Sequence, residues 1–193
     1  MNYLAHIHLA HTTNTSLLGN FLGDFVKGSD LSHLPNDLQK GVRLHRNIDS
    51  FTDSHACVVS LRQGFPRNIR RMSGIVIDIY FDHLLSIHWE QYNKTDMPSV
   101  LHNFYEQLAN TYLEMGGRFP DVKNGLLRYK WLHEYEQKEA VIRAFHQIEK
   151  RLNYRITFAK AAADFLESYE DEMHHAFSQF YPQLIKYCQE LTR

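Results

Sequence analysis

GIVIDIYFDHLL, residues 74–85, decides the fold. Its first half, Gly74 to Ile79, is the one part of the chain that passes for a strand. Elsewhere apolar residues recur at steps of three and four, and alternating β-branched runs are nearly absent. Read as a helix like the rest, the stretch carries Asp78 and Asp82 four residues apart on one face. Two like charges then share a largely apolar segment, which is costly unless a metal or a partner offsets them. Three more strings repeat the theme of a histidine or carboxylate in an apolar helical frame: YLAHIHLAH at 3–11, LGDFVKG at 22–28 and RLHRNIDSFTD at 43–53.

The punctuation between these strings is helical. Ser16 is placed to cap a helix through Phe25 that Gly28 closes, and Pro35 sits in the first turn of the next, which carries RLHRNID. Asp53 or Ser54 caps a further helix ending near Gly64, and Pro66 and Asn68 open the helix of Asp78 and Asp82. Pro98 starts another, and Gly116, Gly117 and Pro120 break the chain before a pattern from Val122 to Tyr135. The last long pattern runs from about Phe158 to Gln179, where Pro182 should end or kink it before a short terminal helix. No internal repeat, low-complexity tract or domain linker interrupts the 193 residues. The expectation is an all-α, single-domain helical bundle over residues 1–193, with a metal site mainly from residues 1–90.

A formal net charge of -1 gives no global argument for nucleic acid or for a membrane. Cys57 and Cys188 have neither metal-site nor redox spacing, and the longest apolar run, around Gly74 to Ile77, falls far short of the ~20 residues that span a bilayer. No signal peptide or anchor is visible, so a cytoplasmic protein is expected. Charge is uneven locally. From Ser54 to Ile77 there is no Asp or Glu, while Arg62, Arg67, Arg70 and Arg71 all fall there. This cationic patch suits an acidic partner; without an aromatic ladder or a binding motif, nucleic acid is the weaker reading.

His45 and Asp49, and Asp49 and Asp53, also stand four apart. A single such pair is more often a surface hydrogen bond than a ligand pair; the apolar surroundings shift the balance toward a metal. Asp24 lies alone among Leu, Phe and Val, with Gly19 and Gly23 permitting close approach by another helix. His6 and His8 are ~200° apart on a helix, so at most one faces the ion. His6 is favoured, with His8 or His11 behind it. His83 lies ~100° round from Asp82, as ligand, proton shuttle or wall. His88, His102, His133 and His146 are isolated. The candidate ligands are therefore His6, Asp24, His45, Asp49, Asp78 and Asp82, a set suited to Mn²⁺, Mg²⁺, Fe²⁺ or Zn²⁺ and to phosphate-ester hydrolysis. Lys27, Arg43 and Arg46 flank them and can hold phosphate oxygens.

MNYLAHIHLA, GNFLGDFVKG, HRNIDSFTDSH and the stretch from Arg70 to Leu85 closely resemble the acyl carrier protein phosphodiesterase family, hydrolases that remove the 4'-phosphopantetheine arm from holo-acyl carrier protein. The resemblance is specific over residues 1–90 and looser beyond. It implies a divergent helical HD-phosphohydrolase fold, Mn²⁺ as cofactor with Mg²⁺ or Fe²⁺ as alternatives, and an acidic carrier protein as partner of the arginine patch. It places Asp24 in the family's GDF segment, His45 and Asp49 in HRxID, and Asp78, Asp82 and His83 in DxxxDH. The chain departs from the usual HD pattern: residues 82 and 83 are Asp-His, reversed. On this reading His83 or a second water protonates the departing serine oxygen, with Lys27 and Arg46 at the phosphate. Phe158, Phe165 and Tyr169 are candidates for a channel, though core packing is the better reading. The rivals are an HD-like hydrolase of a small nucleotide or other diester, a di-iron protein and a non-catalytic adaptor. A di-iron site needs two Glu-x-x-His motifs, and only Glu172 to His175 supplies one.

Overall fold

A computed structural model describes residues 1–113 and 115–193, and among them there are helices and loops but no strand. The α-helices are α1 (Tyr3–Thr12), α2 (Leu17–Leu22), α3 (Asn36–Ser54), α4 (Ala56–Gly64), α5 (Ser73–Ile87), α6 (Trp89–Tyr92), α7 (Met97–Asn110), α8 (Phe119–Tyr129), α9 (Lys138–Arg151), α10 (Ala159–Ser168) and α11 (Glu170–Leu191). The stretch at 74–85 is helical, and its helix is central. Both α1, buried from Leu4 to Ala10, and α5, with Val76, Ile77, Phe81, Leu84 and Leu85 fully buried, are covered on nearly every side, as helices apolar all round must be. The amphipathic helix α11 lies against both and against α3 and α4. Phe177 and Phe180 pack on Phe81, and the Tyr181 hydroxyl meets His8 Nδ1 at 2.8 Å.

The helices α2 and α3 cross so closely that side chains are excluded at the contact. A Cβ on Gly41 would lie 2.6 Å from the backbone of Gly19 and Asn20, and one on Gly19 would lie 2.8 Å from the Leu38 carbonyl oxygen. This crossing sets α3 against α1 and α2, where the candidate ligands sit.

Several boundaries differ from the sequence expectation. Ser16 caps α2, but the helix stops at Leu22 and a loop runs to Gly28, whose φ of 77° suits glycine. His55, not Asp53 or Ser54, caps α4, its Nδ1 accepting from the Cys57 N–H at 3.3 Å. A 3-10 turn at Arg70–Met72 precedes α5. The pattern from Val122 to Tyr135 is two elements, α8 and a 3-10 turn at Trp131–Glu136, split by Lys130 at φ 48°. The helix α9 was not foreseen, and the long pattern from Phe158 divides at Tyr169 into α10 and α11. Pro182 lies inside α11, which continues to Leu191. Buried Phe177, Phe180, Tyr181 and Leu184 hold the helix on both sides of the proline, and this packing outweighs the missing N–H. No helix among the described residues is long and apolar enough to cross a membrane.

Candidate metal centre

His6 projects from buried α1 toward α3, where His45 and Asp49, one turn apart, share a face. The two imidazoles stack at 4.0 Å with an interplanar angle of 18°. Both Nε2 atoms point at the same carboxylate: His6 Nε2 lies 3.2 Å from Asp49 Oδ1 and His45 Nε2 lies 3.1 Å from Asp49 Oδ2. Among the described residues, these three are the only group of His, Cys, Asp or Glu side chains close enough to hold one ion. The seat for His45 is made by Gly23, because a Cβ there would lie 2.2 Å from the ring.

The protonation pattern favours a cation. His6 Nδ1 meets Asn20 Oδ1 at 2.9 Å, and since the amide oxygen only accepts, Nδ1 carries the proton and Nε2 presents a lone pair to Asp49. Burial, followed by the neighbouring His45, lowers the His6 pKa, so an imidazolium is disfavoured. A lone pair facing a carboxylate across 3.2 Å is repulsive unless a positive ion lies between them. Burial works to raise the Asp49 pKa, but the bond to His45 and the positive charge around it, the Met1 amine included, outweigh it and hold the carboxyl well below the ordinary range. Asp78 of α5 stands beside this group. The α-amino group of Met1 lies 3.1 Å from Asp78 Oδ1 and 3.5 Å from Asp49 Oδ1, so the two carboxylates converge on one positively charged point.

The other expected residues take different positions. Asp82 is fully buried, and its two oxygens accept the Leu4 and Ala5 N–H groups at 2.9 and 3.0 Å. It caps α1, whose own Asn2 makes no side-chain cap, and burial pushes its pKa up to about 7. Expected to share an ion with Asp78, Asp82 thus finds its partner in backbone N–H groups that no residue pattern displays. Asp24 is exposed rather than enclosed by apolar neighbours, because α2 has ended. It lies 3.4 Å from Arg118, and its charge acts on the Tyr3 hydroxyl. His83 is outside the three-residue group, its Nδ1 donating to the Tyr135 carbonyl at 2.6 Å on another side of α5. Arg46 donates to the carbonyls of Val26 and Gly28 and so shapes the loop bearing Asp24 and exposed Lys27.

The arginine patch is divided. Arg62 pairs with Asp53 at 2.6 Å and Arg70 is bound to the Phe65 and Gln63 carbonyls, while Arg67 and Arg71 are exposed with no acidic partner among the described residues. Phe158 is core, and Phe165 and Tyr169 pack around Phe65. His8 is buried against Trp89 and Tyr181, on a different face of α1 from His6. Sequence reasoning passed over Asn20, though it is the only polar residue in LLGNFLG at 17–23. It also passed over Tyr3 and Arg118, whose link to Asp24 leaves no local signal.

No solved structure matches this chain. Curated relatives do. A protein of Enterobacter sp. (strain 638) called acyl carrier protein phosphodiesterase is 32% identical over 186 residues, covering 96% of each chain. Proteins of the same description from Salmonella agona (strain SL483) and Salmonella newport (strain SL254) are 33% identical over 187 residues, again covering 96% of each chain. The sequence profile described as acyl carrier protein phosphodiesterase matches residues 1–184, a span that takes in every residue of the His6, His45 and Asp49 group and the helices that hold it. The chain belongs to the acyl carrier protein phosphodiesterase family.

Proposed function

We propose that this chain is a metal-dependent phosphodiesterase that hydrolyses holo-acyl carrier protein to the apo-carrier and 4'-phosphopantetheine. Family membership supports the substrate, and one geometric observation supports the metal: two buried imidazole nitrogens turned onto the two oxygens of a single carboxylate. His6, His45 and Asp49 hold the ion, with Asp78 beside them. Their mixed nitrogen and oxygen donors suit Mn²⁺, with Mg²⁺ and Fe²⁺ as alternatives. When bound, such an ion polarises a phosphoryl oxygen and lowers the pKa of a coordinated water.

The chain's own residues divide the remaining work. Asn20 fixes the His6 tautomer that offers Nε2 to the ion. Asp78, partly exposed beside Asp49, is placed to take the proton of an attacking water. Asp24 and Lys27 stand at the rim on the loop that Arg46 pins. His83 and Asp82 are supports of α5 and α1 in this scheme. Arg67 and Arg71 receive the acidic carrier, and the chain works as one helical hydrolase domain of the HD kind in the cytoplasm, consistent with its two free cysteines.

The test is the intact mass of holo-acyl carrier protein after incubation with the protein and Mn²⁺, beside a chelated control. Metal-dependent loss of the whole phosphopantetheine group supports the reading. An unchanged carrier with metal demonstrably bound refutes it and directs attention to small phosphodiesters. Reversing the charges of Arg67 and Arg71 is expected to raise KM for the carrier roughly 10-fold, since each exposed contact is worth up to about 1 kcal/mol.

A further inference from the structure

We infer that Arg62 grips the phosphoryl group of the substrate at the metal centre; the inference rests on the phosphodiesterase reading above and gives Arg62 a role other than docking a partner. The argument is one of helical register. The face of α3 that bears His45 and Asp49 continues to Asp53, and the face of α5 that bears Asp82 and Asp78 runs back to Gly74. The bridge from the Met1 amine to Asp49 and Asp78 puts those two positions at one level. One turn along, Arg62 of α4 makes the corresponding bridge. Its Nη2 donates to Asp53 Oδ1 at 2.6 Å, and the guanidinium lies over bare Gly74, where a Cβ would be 3.3 Å from Nη2, 3.8 Å from Cζ and 3.9 Å from Nε. Four residues of helix rise about 6 Å. A phosphoryl group held beside Asp49 and Asp78 therefore reaches Arg62 with a non-bridging oxygen.

Two further observations single out this arginine. Its Nε–H is buried with no hydrogen-bond partner, a donor left over after Asp53 has been satisfied. The other nearby arginines are engaged elsewhere. Arg46 serves the carbonyls of Val26 and Gly28, Arg43 bonds Gln39, Arg70 bonds the Phe65 and Gln63 carbonyls, and Arg118 meets Asp24 beyond the His45 end of α3. Beside the Met1 amine and Lys27, Arg62 is the arginine whose remaining donors are not taken by carbonyls, and a planar fork of N–H donors matches phosphoryl oxygens. Asp53 is then a positioning residue: it holds the fork in one orientation. Gly74 leaves the room.

The experiment pairs kinetics on holo-carrier with calorimetric binding of inorganic phosphate to the Mn²⁺-loaded protein. Arg62→Ala is expected to lower kcat about 100-fold, the cost of losing one preorganised donor at the developing charge, with Mn²⁺ stoichiometry unchanged. Arg62→Lys should restore only part of the rate, because an ammonium cannot bind bidentately. Asp53→Asn should fall between, and the Arg62→Ala, Asp53→Asn double variant should be no slower than Arg62→Ala alone. Phosphate binding should be lost in Arg62→Ala and kept when Arg67 and Arg71 are reversed. If Arg62→Ala fails to fold, Arg62→Gln, which keeps a donor toward Asp53, replaces it. An Arg62→Ala protein that binds phosphate like the parent, or that raises KM for the carrier at unchanged kcat, overturns the inference. Failure of the parent to bind phosphate does the same. The phosphate measurement needs no turnover of the carrier, so the inference can be judged even if the proposed substrate is wrong.

Discussion

Replacing Gly23 by alanine should damage the metal centre through a single methyl group. Gly23 has φ -52° and ψ -31°, a right-handed helical conformation that alanine adopts freely. Backbone entropy alone would make Gly23→Ala stabilising by about 0.4–1 kcal/mol. The obstacle is the His45 ring, since the new Cβ would lie 2.2 Å from Cγ and 2.5 Å from Cδ2. Carbon atoms in contact sit about 3.5–4.0 Å apart, so ring and methyl must separate by roughly 1.3 Å or more. His45 is only 4% exposed and its other face is stacked 4.0 Å from the His6 ring, so its Nε2 cannot keep its place over Asp49. Overpacking of this kind costs about 1–3 kcal/mol, and a reacting geometry displaced by about 1 Å loses about 100-fold in rate. Thermal melts with and without Mn²⁺, together with kcat on holo-carrier, measure both effects. Gly28→Ala is the control: at φ 77° with nothing within 4 Å of its Cβ, it should lose about 1–2 kcal/mol to backbone strain while Mn²⁺ affinity stays unchanged. A Gly23→Ala protein as stable and as fast as the parent would refute the reasoning.

Three other outcomes are expected. Glu149 is buried, and although burial opposes its charge, the Ala159 and Phe158 N–H groups and His146 hold its pKa below the ordinary carboxylate value. A depressed carboxylate stabilises the fold above its unfolded pKa of about 4.3, and this is lost as pH falls through the folded value. Urea unfolding should therefore show Glu149→Gln weaker than the parent by about 1–2 kcal/mol at pH 7, with the gap closing below about pH 4. Tyr181→Phe should cost about 1–3 kcal/mol by stripping buried His8 of its hydroxyl partner, with kcat unchanged. Saturating Mn²⁺ at 100 times its dissociation constant should raise stability by about 2.7 kcal/mol, and His45→Ala should abolish the gain; equal melts with and without metal would count against the centre.

What could be read in the sequence was whatever depends on neighbours along one helix. The pairing of His45 with Asp49 follows from their spacing, and the close approach at Gly19 and Gly23 follows from two glycines in an apolar frame. Ser16 and the proline at 98 mark true helix starts. What stayed hidden depends on partners distant in sequence. Asp82 was legible as a buried charge, but its donors are the backbone of residues 4 and 5. The pair of Asp24 and Arg118 spans two loops, and that of Arg62 and Asp53 crosses from α4 to α3. Pro182 was misjudged because a local rule competes with the packing of four buried side chains around it.

The bond between His8 and Tyr181 also bears on the order in which the protein is made. The helix α1, which carries His6, is made before α11, and the cover that Trp89 gives His8 is completed only by Tyr181, 173 positions later. At about 5–20 residues per second, ~10–35 s of synthesis separate the two. During that interval the His8 face of α1 lacks its last cover, while the helices α2 and α3 that set His6 against Asn20, His45 and Asp49 are already made. The metal group, carried by α1 and α3 alone, is thus composed of residues made early, and the closure behind it comes late.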